Sequence, residues 1–456
     1  MKKTGLIARR LTAVLTVLIL LLVPAAQVSA EYTPSFNLTS EGVYLVNTDS
    51  DTVIYSKNAN ERMAPASLTK VMTAIVILEN VGDLDATTAT AEQWMFDEFY
   101  GLNISNAGIV TGETLTMRQL LYCMLLQSAN EAAVVAAYEV GSQSVDHFVD
   151  MMNETAQRIG AKDTHFVNPH GLDDPDHYTT PHDMYLIARY ASELPGFMNI
   201  VSTTVYYLEE TNKVGVRTLV NTNRLMSTSL SEGYYYYAPV RGIKTGTTPD
   251  AGYCVVTTAS QNGMNYLCVC IGSPYYDENG QVNQYNGAFL DTRELYQWVF
   301  STFSVKELLS KGDPVDEIKL KLAWEKDYLL LVPERSFSAL VPNDISADSV
   351  QRVVKLPEDG ISAPVEKGQV IGTMKLILAG EQIGEVNLVA SESVERSQWL
   401  FLLDELKTFF TSAPFWLCFG AFMLALISYI AYMIIRNKKV LGDVKYRRKK
   451  PGLPRR

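Results

Sequence analysis

The chain has 456 residues, 47% of them hydrophobic and 20% charged, which is enough for two or three domains with a sizeable core. Its net charge is −11, and the acidic residues are concentrated between a basic leader and a basic tail. That distribution excludes broad electrostatic binding of nucleic acid or anionic lipid, so an anionic substrate must be caught by specific cations.

Lys2, Lys3, Arg9 and Arg10 precede an apolar run from Leu11 to Val23, and Val28-Ser29-Ala30 offers small residues for cleavage. Residues 1–30 therefore read as a secretory signal peptide, followed by a polar linker over 31–41. Val43–Val46 and Val53–Tyr55 flank Asp49-Ser50-Asp51 as a β-hairpin. Pro65 leads into an apolar helix over Leu68–Leu78 with Ser67 at its start. Thr116 and Gln119 form a capping-box pattern ahead of a helix ending near Leu126. Helices follow over Glu131–Val140, stopped by Gly141, and over Ser144–Ile159, stopped by Gly160. Thr180-Pro181 opens another, with proline in the first turn. Tyr253–Ala259 and Met264–Ile271 then make a hairpin about Asn262-Gly263, and Asn286–Phe303 returns to helix. Residues 42–303 are thus expected to be an α+β domain: an antiparallel sheet with a helical insert.

From Ser304 the apolar period becomes two, with Ile318, Leu320 and Leu322 alternating with polar residues. Tyr328–Val332, Gln351–Leu356, Val370–Leu378 and Gly384–Val389 continue it, so 304–395 reads as a small β-sandwich acting as spacer or interaction module. After a juxtamembrane segment over 396–413, Pro414–Ile435 gives 22 residues without a charge, enough to span a bilayer. Phe415, Trp416, Tyr429 and Tyr432 lie near its ends. The tail over 436–456 carries ten Lys/Arg and one acid, Asp443, which predicts a cytoplasmic tail and an extracytoplasmic body. Cys123, Cys254, Cys268 and Cys270 fit neither a metal signature nor a disulfide framework; the last two share one face of a strand and read as core.

Three short strings carry chemistry: Ser67-Leu68-Thr69-Lys70, Ser128-Ala129-Asn130 and Lys244-Thr245-Gly246. Ser-x-x-Lys arises by chance about twice in such a length, and Lys-Thr-Gly on the order of 0.1 times. Order and context supply the specificity. Ser67 and Lys70, three apart, share a helix face, so the amine reaches the hydroxyl. A lysine that is partly desolvated and flanked by cations loses its proton readily and can serve as base. A helix start also offers N–H groups to a developing oxyanion. Ser128 and Asn130 sit in a loop between helices, and Lys244 at a strand end can engage Ser128 and attract a carboxylate. Singly, each has a plainer reading: Ser67 as a helix cap, Ser128 in a local turn, Lys244 as an exposed edge-strand lysine.

With Pro65-Ala66-Ser67-Leu68-Thr69-Lys70-Val71-Met72-Thr73-Ala74, Gly242-Ile243-Lys244-Thr245-Gly246 and Asn168-Pro169-His170-Gly171-Leu172-Asp173, residues 40–300 resemble the serine D-alanyl-D-alanine carboxypeptidases, the low-molecular-mass penicillin-binding proteins. Residues 304–395 resemble the β-rich second domain many members carry. The resemblance implies a β-lactamase/transpeptidase-like domain, a small all-β domain and a membrane anchor. It implies Ser67 as acyl-enzyme nucleophile, Lys70 as general base, Ser128 as proton relay and Asn130 as the acyl-amide partner. Lys244, Thr245 and, through the dipeptide Asn223-Arg224, Arg224 would hold the substrate carboxylate. Gly246 completes that strand motif, and the backbone N–H groups of Ser67 and Thr247 would form the oxyanion hole. The substrate would be a peptidoglycan stem pentapeptide ending in D-Ala-D-Ala, with β-lactams as covalent inhibitors and no metal or organic cofactor. Two departures stand out: Thr247 where many relatives have histidine, and a spanning segment where the family's usual attachment is an amphipathic helix.

Rival readings fare worse. A class A β-lactamase needs a glutamate to activate deacylating water, and no Glu-x-x-Leu-Asn lies between Ser128 and Lys244. A transpeptidase or endopeptidase would use the same residues. A penicillin or peptidoglycan sensor would not need Ser67, Lys70, Ser128 and Lys244 all intact. His165, His170, His177 and His182 crowd near Asp173, Asp174, Asp176 and Asp183 but lack metal-ligand spacing, so they read as loop-holding residues.

Overall fold

The computed structural model describes residues 34–229 and 233–447; the leader and the distal part of the basic tail lie outside the described residues. The chain forms two compact units. The first runs through Lys306 and takes back Ala339–Ile345; the second holds Glu307–Ser338 and the chain from Ser346 onward.

In the first unit, β1 (Gly42–Asn47) and β2 (Thr52–Lys57) form the expected hairpin. A 3-10 turn, Ala66–Leu68, then runs into α1 (Thr69–Asn80). Ser67 therefore sits in the tighter turn, one step before the helix that the sequence places it on. β3 (Thr88–Thr90) pairs with β4 (Thr114–Thr116), ahead of α2 (Met117–Leu126). The capping box at α2 is formed: Gln119 N donates to Thr116 Oγ1 at 3.2 Å, and Thr116 N donates to Gln119 Oε1 at 2.9 Å. Helices α3 (Asn130–Val140), α4 (Val145–Ile159), α5 (Pro181–Glu193) and α6 (Phe197–Val201) follow. Gly160 ends α4 at φ +93°, a conformation for which glycine carries no Cβ penalty. A second ribbon, β5 (Val205–Leu208) with β6 (Arg217–Val220), precedes the long strands β7 (Val240–Thr248), β8 (Gly252–Gln261) and β9 (Met264–Ser273). Asn262 and Gly263 both take positive φ, 53° and 77°, as a two-residue turn matched to strand twist requires. α7 (Gly287–Thr302) is capped by Asn286, whose side chain accepts from Phe289 N at 3.1 Å.

The five long strands form one antiparallel sheet in the order β2-β1-β9-β8-β7. Period-two alternation splits its side chains between two cores. Leu267, Val269 and Ile271 join a cluster built with the helical insert, while Cys268 and Cys270 face α7 with Leu295, Tyr296 and Val299. β7 is one of the two edge strands of this sheet and packs against α6 and the turn before α1.

β10 (Phe303–Leu309) pairs with β13 (Phe337–Pro342) in a two-stranded ribbon. The second unit carries β11 (Asp316–Lys321), β12 (Tyr328–Pro333), β14 (Gln351–Lys355), β15 (Ile361–Ser362), β16 (Val370–Leu378) and β17 (Glu381–Ala390). They form a six-stranded sheet, β14-β16-β17-β12-β11-β15, antiparallel except for the short β11–β15 pairing. The stretch expected as a juxtamembrane segment is helical: α8 (Gln398–Thr411) is capped by Ser397 and stops at Ser412. α9 (Ala413–Arg447) follows, and its first 26 residues, Ala413–Lys438, are apolar and long enough to cross a bilayer.

Candidate active site

Four elements converge on one cleft: the turn before α1, the loop between α2 and α3, the segment from Thr222 to Arg224, and β7. The cleft has a volume of about 260 Å³ and is lined by Ser67, Ser105, Ser128, Thr222, Arg224, Tyr235, Thr245, Thr247, Tyr253, Gln284, Asn286 and Phe289. Lys70, Asn130 and Lys244 lie behind this lining, at 0%, 4% and 1% exposure.

Lys70 Nζ has three neighbours: Ser67 Oγ at 2.9 Å, Asn130 Oδ1 at 2.7 Å and the His170 carbonyl oxygen at 2.5 Å. Two of these can only accept. A neutral amine gives its two N–H groups to the carbonyl oxygens and turns its lone pair toward the Ser67 hydroxyl. Neutrality is favoured, because burial, and then the nearby Lys244 charge, hold the Lys70 pKa well below its ordinary value. Glu131 pulls it the other way.

Lys244 lies within β7 rather than at its end. It is on an edge strand, as its plain reading had it, but it is buried rather than exposed. Its ammonium donates to the Thr245 carbonyl at 2.8 Å, and burial lowers its pKa to about 7. Thr245 and Thr222 share a hydroxyl hydrogen bond at 2.7 Å. Gly246 has a steric reason. A Cβ there would lie 3.0 Å from Ala66 Cβ and 3.2 Å from Ser67 N, so its absence lets β7 close against the turn that carries the serine.

Two of the three cleft serines lie on or beside unusual backbone. Ala66, just before Ser67, has φ +48°, and Ser128 itself has φ +61°. Such positions cost non-glycine residues of order 1–3 kcal/mol and persist where the surroundings over-determine them. Asn130 N donates to Ser105 O at 3.0 Å, which ties the Ser128 loop to the cleft-lining Ser105 segment. Arg224 is exposed on the cleft wall, while its neighbour Asn223 is buried and donates to the Gly242 carbonyl at 2.6 Å, fixing the dipeptide beside β7.

The histidines hold loops. His177 Nδ1 accepts from Val167 N at 3.1 Å, so its other nitrogen carries the proton and donates to Thr69 Oγ1 at 2.8 Å. Burial lowers the His177 pKa to about 3. His170 Nδ1 accepts from Leu172 N at 3.2 Å, bracing the loop whose carbonyl faces Lys70. Among the described residues no group of three or more His, Cys, Asp or Glu is placed to hold a metal ion.

Sequence reasoning brought together Ser67, Lys70, Ser128, Asn130, Arg224 and the β7 motif. It missed the other wall: Tyr235, Tyr253, Gln284, Asn286 and Phe289. The run Tyr234-Tyr235-Tyr236-Tyr237, just upstream of Lys244, was a visible signal for part of it. Asn286 N donates to Tyr235 OH at 2.9 Å, joining the two segments that build this wall.

A serine beside a buried lysine, a second serine lining the same cleft and a lysine-bearing edge strand define a serine acyl-transfer enzyme of the penicillin-recognising kind, one without a catalytic histidine. The D-alanyl-D-alanine carboxypeptidase family model matches residues 27–274, and that of the penicillin-binding protein 5 C-terminal domain matches residues 303–396. The chain belongs to the D-alanyl-D-alanine carboxypeptidase family. The D-alanyl-D-alanine carboxypeptidase DacF of Bacillus subtilis is 30% identical over 395 residues, covering 86% of this chain and 96% of that protein. Escherichia coli DacA is 28% identical, covering 82% and 88%. Among solved structures, penicillin-binding protein 5 of Haemophilus influenzae aligns with a TM-score of 0.57 at 28% identity, covering 80% of this chain and 99% of that one.

Proposed function

We propose that the protein removes the terminal D-alanine from peptidoglycan stem pentapeptides through an acyl-Ser67 intermediate. The observation that carries this reading is the Lys70 amine 2.9 Å from Ser67 Oγ, with its other two neighbours both acceptors. Ser67 Oγ attacks the carbonyl between the two D-alanines while its proton passes to Lys70. The carbonyl's π pair moves onto oxygen, toward the N–H groups of Ser67 and Thr247. Ser128, at the cleft, passes a proton to the leaving amine, and water then releases the shortened peptide. Lys244, Thr245 and Arg224 hold the terminal carboxylate, and Asn130 orients the acyl amide.

β-Lactams present the same carbonyl and carboxylate and acylate Ser67. The acyl-enzyme is long-lived, since the deacylating glutamate of class A β-lactamases has no counterpart motif here. The body works outside the cell membrane, anchored by α9, with the basic tail in the cytoplasm. Trimming of pentapeptides removes donors for cross-linking.

The test uses the full-length chain in detergent, incubated with benzylpenicillin and separately with a diacyl-Lys-D-Ala-D-Ala peptide. A penicilloyl adduct by intact mass together with free D-alanine is expected. An adduct without D-alanine, even when an amine acceptor is supplied, would favour a sensor and defeat the carboxypeptidase reading.

The Lys244 pKa of about 7 makes a further prediction. Its ammonium must be charged to attract the carboxylate, so kcat/KM falls on the basic side as pH rises through about 7. In Lys244→Arg the guanidinium stays charged, and that basic limb disappears from the pH profile. A limb that persists there belongs to another group.

A further inference from the structure

Glu131 follows Asn130 on the first turn of α3 and is 3% exposed. Its Oε1 accepts from Ala107 N at 2.6 Å, while Oε2 is buried without a hydrogen-bond partner. A half-satisfied buried carboxyl is rare enough to require a reason. The sequence motifs pass over it, since the string of interest ends one residue earlier.

The charged and titratable groups around it come from every side. Burial raises the Glu131 pKa, while the backbone N–H groups of Ala107, Glu131 and Ile109, and then the Lys70 charge on α1, favour its carboxylate; Lys244 on β7 acts on Lys70 in turn. Cys123 faces Glu131 from α2, a thiol that burial pushes up to about 12 and so keeps neutral. Arg217 and Glu113 are near Cys123 but are bonded to each other. On the loop behind Lys70, His170 and His177 are both held toward neutrality by burial, and Glu98 contacts His170 Nε2 at 3.4 Å.

We propose that Glu131 is the counter-charge for the Lys70 ammonium formed during acylation, a positioning residue that acts through Lys70 without touching substrate. This rests on the reading of Lys70 as the base. When the Ser67 proton moves to Lys70 Nζ, a new cation appears in a buried site that already holds Lys244. Asn130 Oδ1 and the His170 carbonyl offer it partial charges only. Glu131 supplies a full one, and its free Oε2 is available for that interaction because Oε1 alone holds Ala107. The same bond fastens the cleft rim, so one residue sets both the base's electrostatics and the wall beside it.

The test separates these two roles. Glu131→Gln keeps an oxygen for Ala107 N and removes the charge; Glu131→Asp keeps the charge and shortens the reach. Benzylpenicillin acylation rates are measured against pH for full-length protein in detergent, with thermal melting as the folding control. In Glu131→Gln the acid limb moves down by about one pH unit, and the plateau rate falls roughly tenfold. Glu131→Asp, with the charge drawn back by one methylene, moves the limb down by less. A Glu131→Gln limb coincident with wild type overturns the proposal, leaving only a rim clamp. If Glu131→Gln does not fold, a Glu131→Asp limb coincident with wild type overturns it instead, and one moved down supports it. A wild-type profile whose acid limb survives in Lys70→Arg defeats the base assignment itself, and the proposal with it.

Discussion

Ser67→Ala will form no penicilloyl adduct and will lose D-alanine release by about 10³-fold or more, with its melting temperature nearly unchanged. The size follows from covalent chemistry: without Oγ there is no nucleophile, and binding groups alone cannot replace a bond-forming atom. The mild effect on stability follows from the surroundings. Ser67 is only half-buried, and Lys70 Nζ keeps Asn130 Oδ1 and the His170 carbonyl at 2.7 and 2.5 Å. Losing one hydroxyl hydrogen bond then costs about 1 kcal/mol. Intact mass, a D-alanine assay and a melting curve on the same preparation check all three. An adduct on Ser67→Ala would place the nucleophile elsewhere, with Ser128 the first candidate.

Gly171→Ala is expected to be among the most damaging single-methyl additions in the first unit. Gly171 has φ +88°, and a Cβ there would lie 2.0 Å from Ala66 O and 2.8 Å from Thr69 Oγ1. Ala66 O is itself the acceptor for Thr69 Oγ1 at 2.8 Å, so the methyl would displace the turn that presents Ser67. The neighbouring carbonyl, that of His170, faces Lys70. Backbone strain and overlap together cost about 3 kcal/mol or more, a fall in melting temperature of roughly 10 °C. Acylation should drop further than the melting curve alone accounts for. Gly82→Ala is the control, because a Cβ there meets nothing within 4 Å. Equal losses in both variants would remove the steric explanation.

Where a local rule decides an element, the chain could be read directly. The Thr116/Gln119 box, the Asn262-Gly263 turn, the Pro181 helix start and the Gly160 stop are each decided by a few adjacent residues, and each forms as expected. The catalytic strings were legible because their spacing encodes reach along one helix or one strand. What depends on distant packing was not. The depth of Lys244 comes from helices and strands far away in the chain, and nothing in Gly-Ile-Lys-Thr-Gly reports it. The wall of Tyr235, Asn286 and Phe289 is assembled across some fifty residues, with its one unbroken signal in a tyrosine run. The return of Ala339–Ile345 to the first unit rests on long-range contacts such as Asn343 Nδ2 to Ser301 O at 2.7 Å, which period-two patterning cannot anticipate. Glu131 looks like any glutamate in the first turn of a helix until its burial is known.

The buried cysteines have a consequence for the folded protein. Cys123, Cys254, Cys268 and Cys270 are all unpaired and fully buried, and even the close pair, Cys268 and Cys270, remains at an Sγ–Sγ distance of 3.8 Å. Burial pushes the Cys123 and Cys254 thiols up to about 12. At neutral pH only about one in 10⁵ of either is thiolate, the form that oxidants and disulfides attack. Once folded, these four thiols are closed to oxidants and to disulfide exchange, so the interior of the first unit does not change with the redox chemistry of whatever lies around it.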